Sequence, residues 1–333
     1  MIRLPWFEYR APKTLAEAAR ILAGEGPRAM LLAGGTDLLP NMKRRQQTPT
    51  VLVSVRGIKE LQSISNGSGL AVGAGLTLSQ ISASGAIREK CAGLHQAASL
   101  VATTHLRNMA TLGGNLCLDT RCTYYNQSYE WRKAIDFCLK RDGETCWVAT
   151  ASKRCVAVSS TDTAPALIAL GAKAKLVSVD GERELPVENF YKNDGIDYLV
   201  RRPNEILSEI VVPKPVLKST YWKLRRRGSF DFPVLGVAAA EVNEEYRIAL
   251  GAVASRPFLV EKACEFLKGK ALTDEVIEEA GRIVASRAKP MDNADLDLYW
   301  RKRVVGEFVG YALRELRGDD MRQTRLKISR QML

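Results

Sequence analysis

Histidine is nearly absent: His95 and His105 are the only two in 333 residues. No Ser/His or Cys/His nucleophile–base pair can be assembled from the sequence, so hydrolytic chemistry has no candidate. No stretch of about 18 uncharged apolar residues occurs, which excludes an ordinary membrane-spanning helix. The N-terminus, Met1-Ile2-Arg3-Leu4-Pro5-Trp6, meets charge and proline too early for a signal-peptide core, so a cytoplasmic protein is expected. Neither G-x-G-x-x-G nor G-x-x-x-x-G-K-[ST] is present, which removes the usual dinucleotide and P-loop readings. C-x-x-C pairs are missing as well.

The net charge is +12, from 49 Lys+Arg against 37 Asp+Glu. The basic residues are dispersed, and no nucleic-acid-binding motif accompanies them, so nucleic acid is not expected as a partner. The seven cysteines are an odd number without a secretory signal, which argues against a disulfide framework. Five of them, Cys117, Cys122, Cys138, Cys146 and Cys155, fall within 39 consecutive positions. Their irregular spacing leaves two readings open, a four-thiolate metal site or unrelated free thiols.

Pattern along the chain predicts an α+β protein. Thr14-Leu15-Ala16-Glu17 reads as a capping box opening a helix. The runs Ala29–Ala33 and Thr50–Val55 read as strands flanking a glycine-rich loop, a strand–loop–strand unit. Leu70–Ala74 reads as a strand, Leu78–Lys90 and Gly93–Val101 as helices. Helix Ala164–Leu170 and strands Ala174–Val179 and Ile206–Pro213 follow. After Pro213 the pattern becomes an antiparallel sheet (Tyr221–Arg225, Leu235–Val242, Arg247–Val253) with amphipathic helices Leu272–Arg287 and Arg303–Leu316. The expected organisation is an N-terminal lobe over 1–58, a second lobe over 59–215 with a cysteine-rich insertion at about 117–158, and a C-terminal domain over 216–333.

Two Gly-Gly turns, Gly34-Gly35-Thr36 and Gly113-Gly114-Asn115, stand in different lobes. Glycine permits close backbone approach, and the two turns together suggest a pyrophosphate held between lobes. Leu32-Ala33-Gly34-Gly35-Thr36-Asp37-Leu38-Leu39-Pro40 resembles the first FAD loop of the flavoprotein subunits of molybdenum hydroxylases. Ala110-Thr111-Leu112-Gly113-Gly114-Asn115 resembles the second. Tyr221-Trp222-Lys223, Arg226-Arg227 and Asp231-Phe232 resemble the family's C-terminal signature.

The resemblance implies a two-lobed FAD-binding domain of the molybdenum hydroxylase flavoprotein type (PCMH-like) and an α+β C-terminal domain with an antiparallel sheet. It implies that Leu32, Ala33, Gly34, Gly35, Thr36 and Asp37 wrap the FAD pyrophosphate and its surroundings, with Thr111, Gly114 and Asn115 contacting it from the other lobe. Asp162 matches the acidic residue after the second loop. Leu207 and Lys223 match positions along the isoalloxazine, and Ala102 packs it from the preceding helix. Cys117 is expected beside the flavin. His105 is expected near the second loop, and Cys91 and Cys264 are expected to be buried, inert thiols.

Asn115 and Asp162 are separated by 47 positions here, where most of the family has a short connection. Residues 117–128 of this insertion resemble the branch holding the β subunit of 4-hydroxybenzoyl-CoA reductase. That likeness implies a [4Fe-4S] cluster on Cys122, Cys138, Cys146 and Cys155. It further implies a large molybdenum-cofactor subunit, a small subunit with two [2Fe-2S] clusters, reduced ferredoxin as donor and a dimer of heterotrimers. Such a complex would reduce 4-hydroxybenzoyl-CoA to benzoyl-CoA. The rivals are the FAD subunit of an oxidising hydroxylase for a purine or N-heterocycle, a zinc-stabilised binding module, and a stand-alone FAD oxidase. A positive excess in the insertion (Arg121, Arg132, Lys133, Lys140, Arg141, Lys153 and Arg154 against Asp119, Glu130, Asp136, Asp142 and Glu144) is expected to dock an acidic ferredoxin.

Overall fold

The computed structural model describes residues 2–67, 69–213 and 218–330. The expected boundary at 215–216 lies outside the described residues. The first sheet has three parallel strands in the order Glu8–Arg10, Val51–Ser54, Ala29–Leu32. Its central strand is buried throughout. Helix Leu15–Glu25 starts at Thr14, whose hydroxyl accepts from the Glu17 amide at 3.1 Å, and buries Ala18, Ala19 and Leu22 against Val51 and Val53.

The strand–loop–strand expectation is corrected here. A short helix, Leu38–Lys43, follows the glycine loop before the next strand. Pro40 sits in this helix's first turn, where the missing N–H costs nothing.

The second sheet is antiparallel, in the order Ile64–Asn66, Leu70–Gly73, Ile206–Val212, Lys173–Ser178, Gly181–Pro186. The single helix expected over Leu78–Lys90 is two, Leu78–Ala83 and Gly85–Lys90. The break falls at Ser84, which adopts an extended backbone (ψ 115°) and caps the second helix through its hydroxyl. Helices Ala92–Leu100 and Thr163–Ala169 complete this lobe.

The third sheet is also antiparallel, in the order Phe258–Leu259, Glu245–Gly251, Leu235–Val242, Ser219–Leu224. Strand residues alternate between faces. Accordingly Val237 and Ala239 pack with helices Asp274–Arg287 and Val305–Arg317, whereas Ala238 and Ala240 join the core of the second lobe. Both faces are covered, which explains the unbroken apolar run Leu235–Ala240. The same alternation sends Tyr221 and Lys223 towards the second lobe and Trp222 and Leu224 towards the C-terminal helices. The overall architecture is thus the mixed helix-and-sheet arrangement expected, with an antiparallel C-terminal sheet.

The cysteine-rich insertion has one helix, Tyr129–Ala134, and otherwise irregular backbone. It is fastened to both neighbours. The Thr123 amide donates to Asn293 O at 3.1 Å, Asn293 Nδ2 to Val156 O at 2.6 Å, and the Gln46 amide side chain to Tyr125 O. No helix among the described residues is long and apolar enough to cross a membrane.

Candidate functional site

A cavity of about 750 Å³ opens where the two lobes, the insertion and the C-terminal domain meet. That volume lies within the range of about 300–1,000 Å³ typical of small-molecule and cofactor sites. Ala33, Gly34, Gly35, Thr36 and Asp37 form one wall. Among the described residues, none accepts a hydrogen bond from the backbone N–H of Gly34, Gly35, Thr36 or Asp37. Four unused amides on a cavity wall are matched by an anionic oxygen-rich group such as a diphosphate. Gly34 also touches the opposite lobe: a Cβ there would stand 1.9 Å from the Met109 carbonyl oxygen, immediately before the second loop.

The second loop is built differently. Thr111 caps the short helix Leu112–Leu116. The Leu112 amide donates to Leu76 O (2.9 Å), Gly113 to Ala74 O (2.8 Å), Gly114 to Thr111 Oγ1 (3.0 Å) and Asn115 to Thr111 O (2.9 Å). Its amides are therefore consumed by the protein, and Thr111, Gly113, Gly114 and Asn115 supply wall rather than free donors. Asn115 Oδ1 accepts from Thr161 Oγ1, the Thr163 amide and Thr163 Oγ1 at 2.7–3.1 Å, which fixes the segment carrying Asp162.

Asp162 lies on the cavity wall and is almost fully buried. Its carboxylate accepts from Tyr221 Oη at 2.9 Å and Lys223 Nζ at 3.0 Å. Lys223 Nζ also donates to Leu100 O and Asp231 O. Burial pushes the Asp162 carboxyl up and the Lys223 ammonium down, and each partner pulls the other back. Lys223 stands behind Asp162, outside the wall; Leu32 is off the wall too, whereas Ala102 and Leu207 line it. His105 is exposed and off the wall, its neighbour Leu106 being on it.

Among the wall residues that escaped the sequence reading as site residues are Asp119, Arg121, Tyr198 and Phe232. Arg121 pairs with Asp37, donates to Asn41 Oδ1 at 3.3 Å and lies 4.6 Å from the centre of the Phe232 ring. Burial brings its pKa down to about 10. The available signal was position: Asp119 and Arg121 directly follow the second loop and Cys117, which itself lines the cavity. Burial raises the pKa of the Cys117 thiol. Cys91 is buried, but Cys264 is half-buried rather than buried as expected.

A second, small cavity lies within the insertion. Cys122, Cys138, Cys146 and Cys155, all buried and free of disulfides, line it together with Tyr125 and Lys140. Burial raises the Cys122 thiol and lifts that of Cys155 to about 11, with neighbouring cysteines adding to both shifts. Among the described residues, no three His, Cys, Asp or Glu side chains are placed to hold a single metal ion. Gly195 abuts this cavity, since a Cβ there would stand 2.6 Å from Cys155 Sγ.

The docking expectation for the insertion fails on burial. Arg132 and Asp119 are buried, and the Lys140 and Arg121 side chains are only 6% and 11% exposed. The outer charges are Lys133, Arg141, Lys153 and Arg154 against Glu130, Asp136, Asp142 and Glu144, four of each sign, so no positive excess faces solvent.

A family model described as the FAD-binding domain in molybdopterin dehydrogenase matches residues 5–215. The CO dehydrogenase flavoprotein C-terminal domain matches residues 219–316. The aldehyde oxidoreductase FAD-binding subunit PaoB of Escherichia coli (strain K12) is 33% identical, over 77% of this chain and 84% of that one. The xanthine dehydrogenase FAD-binding subunit of Escherichia coli O157:H7 is 26% identical, over 91% and 96%. Carbon monoxide dehydrogenase from Hydrogenophaga pseudoflava superimposes with a TM-score of 0.76 at 28% identity, covering 94% of this chain and 97% of that one. Glycine loops, cavity and both family matches converge: the chain belongs to the FAD-binding oxidoreductase subunits of the molybdenum hydroxylase family, that of the CO dehydrogenase medium chain and the xanthine dehydrogenase FAD subunit.

Proposed function

We propose that this chain is an electron-transfer subunit with FAD in the large cavity and a [4Fe-4S] cluster on Cys122, Cys138, Cys146 and Cys155. One observation carries the reading. Tyr125 lines the cysteine cavity, and its hydroxyl donates at 3.1 Å to Asp119 on the wall of the FAD cavity. One side chain therefore bridges the two cavities, the arrangement that electron exchange between their groups would need.

Bound FAD supplies one- and two-electron exchange, and the protein positions it. The free amides of Gly34, Gly35, Thr36 and Asp37 would hold the diphosphate. Leu207 and Ala102 would flank the ring system, and Lys223 would act on it through Asp162. Four buried thiols without disulfides suit a metal group. Thiolates around one zinc ion must all reach Zn–S bonds of about 2.3 Å, whereas a cubane cluster holds its four thiolates farther apart. The four thiols are not placed around one ion position, which favours the cluster over zinc.

The substrate chemistry would take place on a partner subunit carrying the molybdenum cofactor, with a small [2Fe-2S] subunit between. Two reactions fit such a complex. Reduction of 4-hydroxybenzoyl-CoA with ferredoxin as donor is favoured by the likeness of residues 117–128 to that branch. Oxidation of an aldehyde, purine or N-heterocycle is favoured by the activities named for the relatives. Both need the same two sites in this chain.

The test is cofactor content after anaerobic purification. One FAD with about four iron and four sulfide per chain is expected. Cys138→Ala should drop iron to background while most FAD stays. FAD accompanied by zinc, or by no metal, in the unaltered protein would sink the cluster assignment.

A further inference from the structure

The two cavities share a buried ion pair, and its orientation is polar. Lys140 is 6% exposed in its side chain and lines the cysteine cavity. Its Nζ donates to Asp119 Oδ1 at 2.7 Å and Gly195 O at 2.7 Å, and it also bonds Thr120. Gly195, whose carbonyl accepts from Lys140, packs directly on Cys155. Asp119, 4% exposed in its side chain, faces the other way, on the wall of the FAD cavity. The Tyr125 ring lies 4.6 Å from Nζ while its hydroxyl holds Asp119 Oδ2, so both ends are fixed.

A buried charge acts through low dielectric and is screened little by salt. The ammonium beside the cysteines stabilises added negative charge there. The carboxylate beside the flavin destabilises added negative charge there. We propose that the Lys140–Asp119 pair biases electrons from the FAD cavity towards the cysteine cavity. This inference rests on the cluster reading above. Its consequence is a direction: with both groups bound, Asp119 would disfavour and Lys140 would favour added negative charge, so single electrons would pass from flavin to cluster with the flavin's proton released to solvent. The electron then leaves to a one-electron acceptor protein of the iron–sulfur class. The pair thus acts by positioning charge, and it favours an oxidising complex over a reductase.

The test is a redox titration of the assembled complex, following the cluster by electron paramagnetic resonance and the flavin by absorbance. Lys140→Met should shift the cluster's reduction equilibrium at least tenfold towards the oxidised form, about 59 mV for a one-electron couple. Lys140→Arg should restore it. Asp119→Asn should move the flavin the opposite way, making it easier to reduce, and it keeps the inference testable if Lys140→Met fails to assemble. Unchanged potentials in variants with full iron and full FAD would overturn the inference and leave the cluster in place. Unaltered protein with FAD but without iron would overturn the cluster reading itself, and the inference with it.

Discussion

Gly34→Ala should give a folded chain that is nearly empty of FAD. The added methyl has no room, because the ideal Cβ position is 1.9 Å from Met109 O and 2.5 Å from Met109 C. Both obstacles are backbone, so no side-chain rotation relieves them. Either the first loop retreats from the second or Met109 shifts, and Met109 leads directly into Ala110 and Thr111 on the opposite wall. The four free amides of residues 34–37 then lose their aim. Overpacking of this kind costs about 1–3 kcal/mol, and about 1.4 kcal/mol is a factor of ten in affinity. FAD should therefore bind roughly ten- to a hundredfold more weakly. Gly24→Ala is the control, since its Cβ meets nothing within 4 Å and it lies in helix Leu15–Glu25. Flavin released per chain, and FAD titration of the stripped protein, give the answer. Full FAD in Gly34→Ala would mean that the contact between the loops is dispensable.

What could be read from the sequence was local. The runs Ala29–Leu32 and Leu235–Val242 declared themselves as strands by apolar content, and the Thr14 cap by residue type. The two glycine loops could be located as well, because glycine in such turns has few other uses. Their difference could not. Whether an amide is free depends on acceptors elsewhere, and Ala74 O and Leu76 O reach the second loop from a segment about 40 positions earlier. Charge sign was equally misleading in the insertion. Lys140 and Arg132 read as solvated cations, yet folding buries both, Lys140 on an aspartate 21 residues before it. The exposed strand Ile64–Asn66 has no buried residue and left no pattern to detect. Asp37 and Arg121, 84 positions apart, meet only because two lobes close on the same cavity.

Lys223→Met is expected to be the most destabilising single change at the site. It keeps the side-chain volume and leaves the neighbouring Asp162 with Tyr221 Oη alone as side-chain donor. Removing one partner of a buried pair strands the other charge and costs about 3–5 kcal/mol. Asp162 cannot escape into solvent, being 2% exposed, so its remedy is to hold a proton. Burial already pushes this carboxyl upward, and losing the lysine removes the largest opposing influence. A carboxyl whose folded-state pKa exceeds its unfolded value binds more protons when folded, so stability falls as pH rises between the two. The penalty should be full above the folded-state value and shrink as pH drops through it towards the ordinary carboxylate range. Melting temperatures of Lys223→Met and the unaltered protein should thus converge on acidification. Asp162→Asn combined with Lys223→Met removes both charges, so its stability gap from the unaltered protein should be smaller at neutral pH and should lose that convergence. A gap between Lys223→Met and the unaltered protein that stays constant with pH would show that Asp162 does not carry the stranded charge. The same experiment reads the cavity, because Asp162 lies on its wall: a neutral side chain there should make the bound flavin easier to reduce, an effect that packing loss alone would not produce.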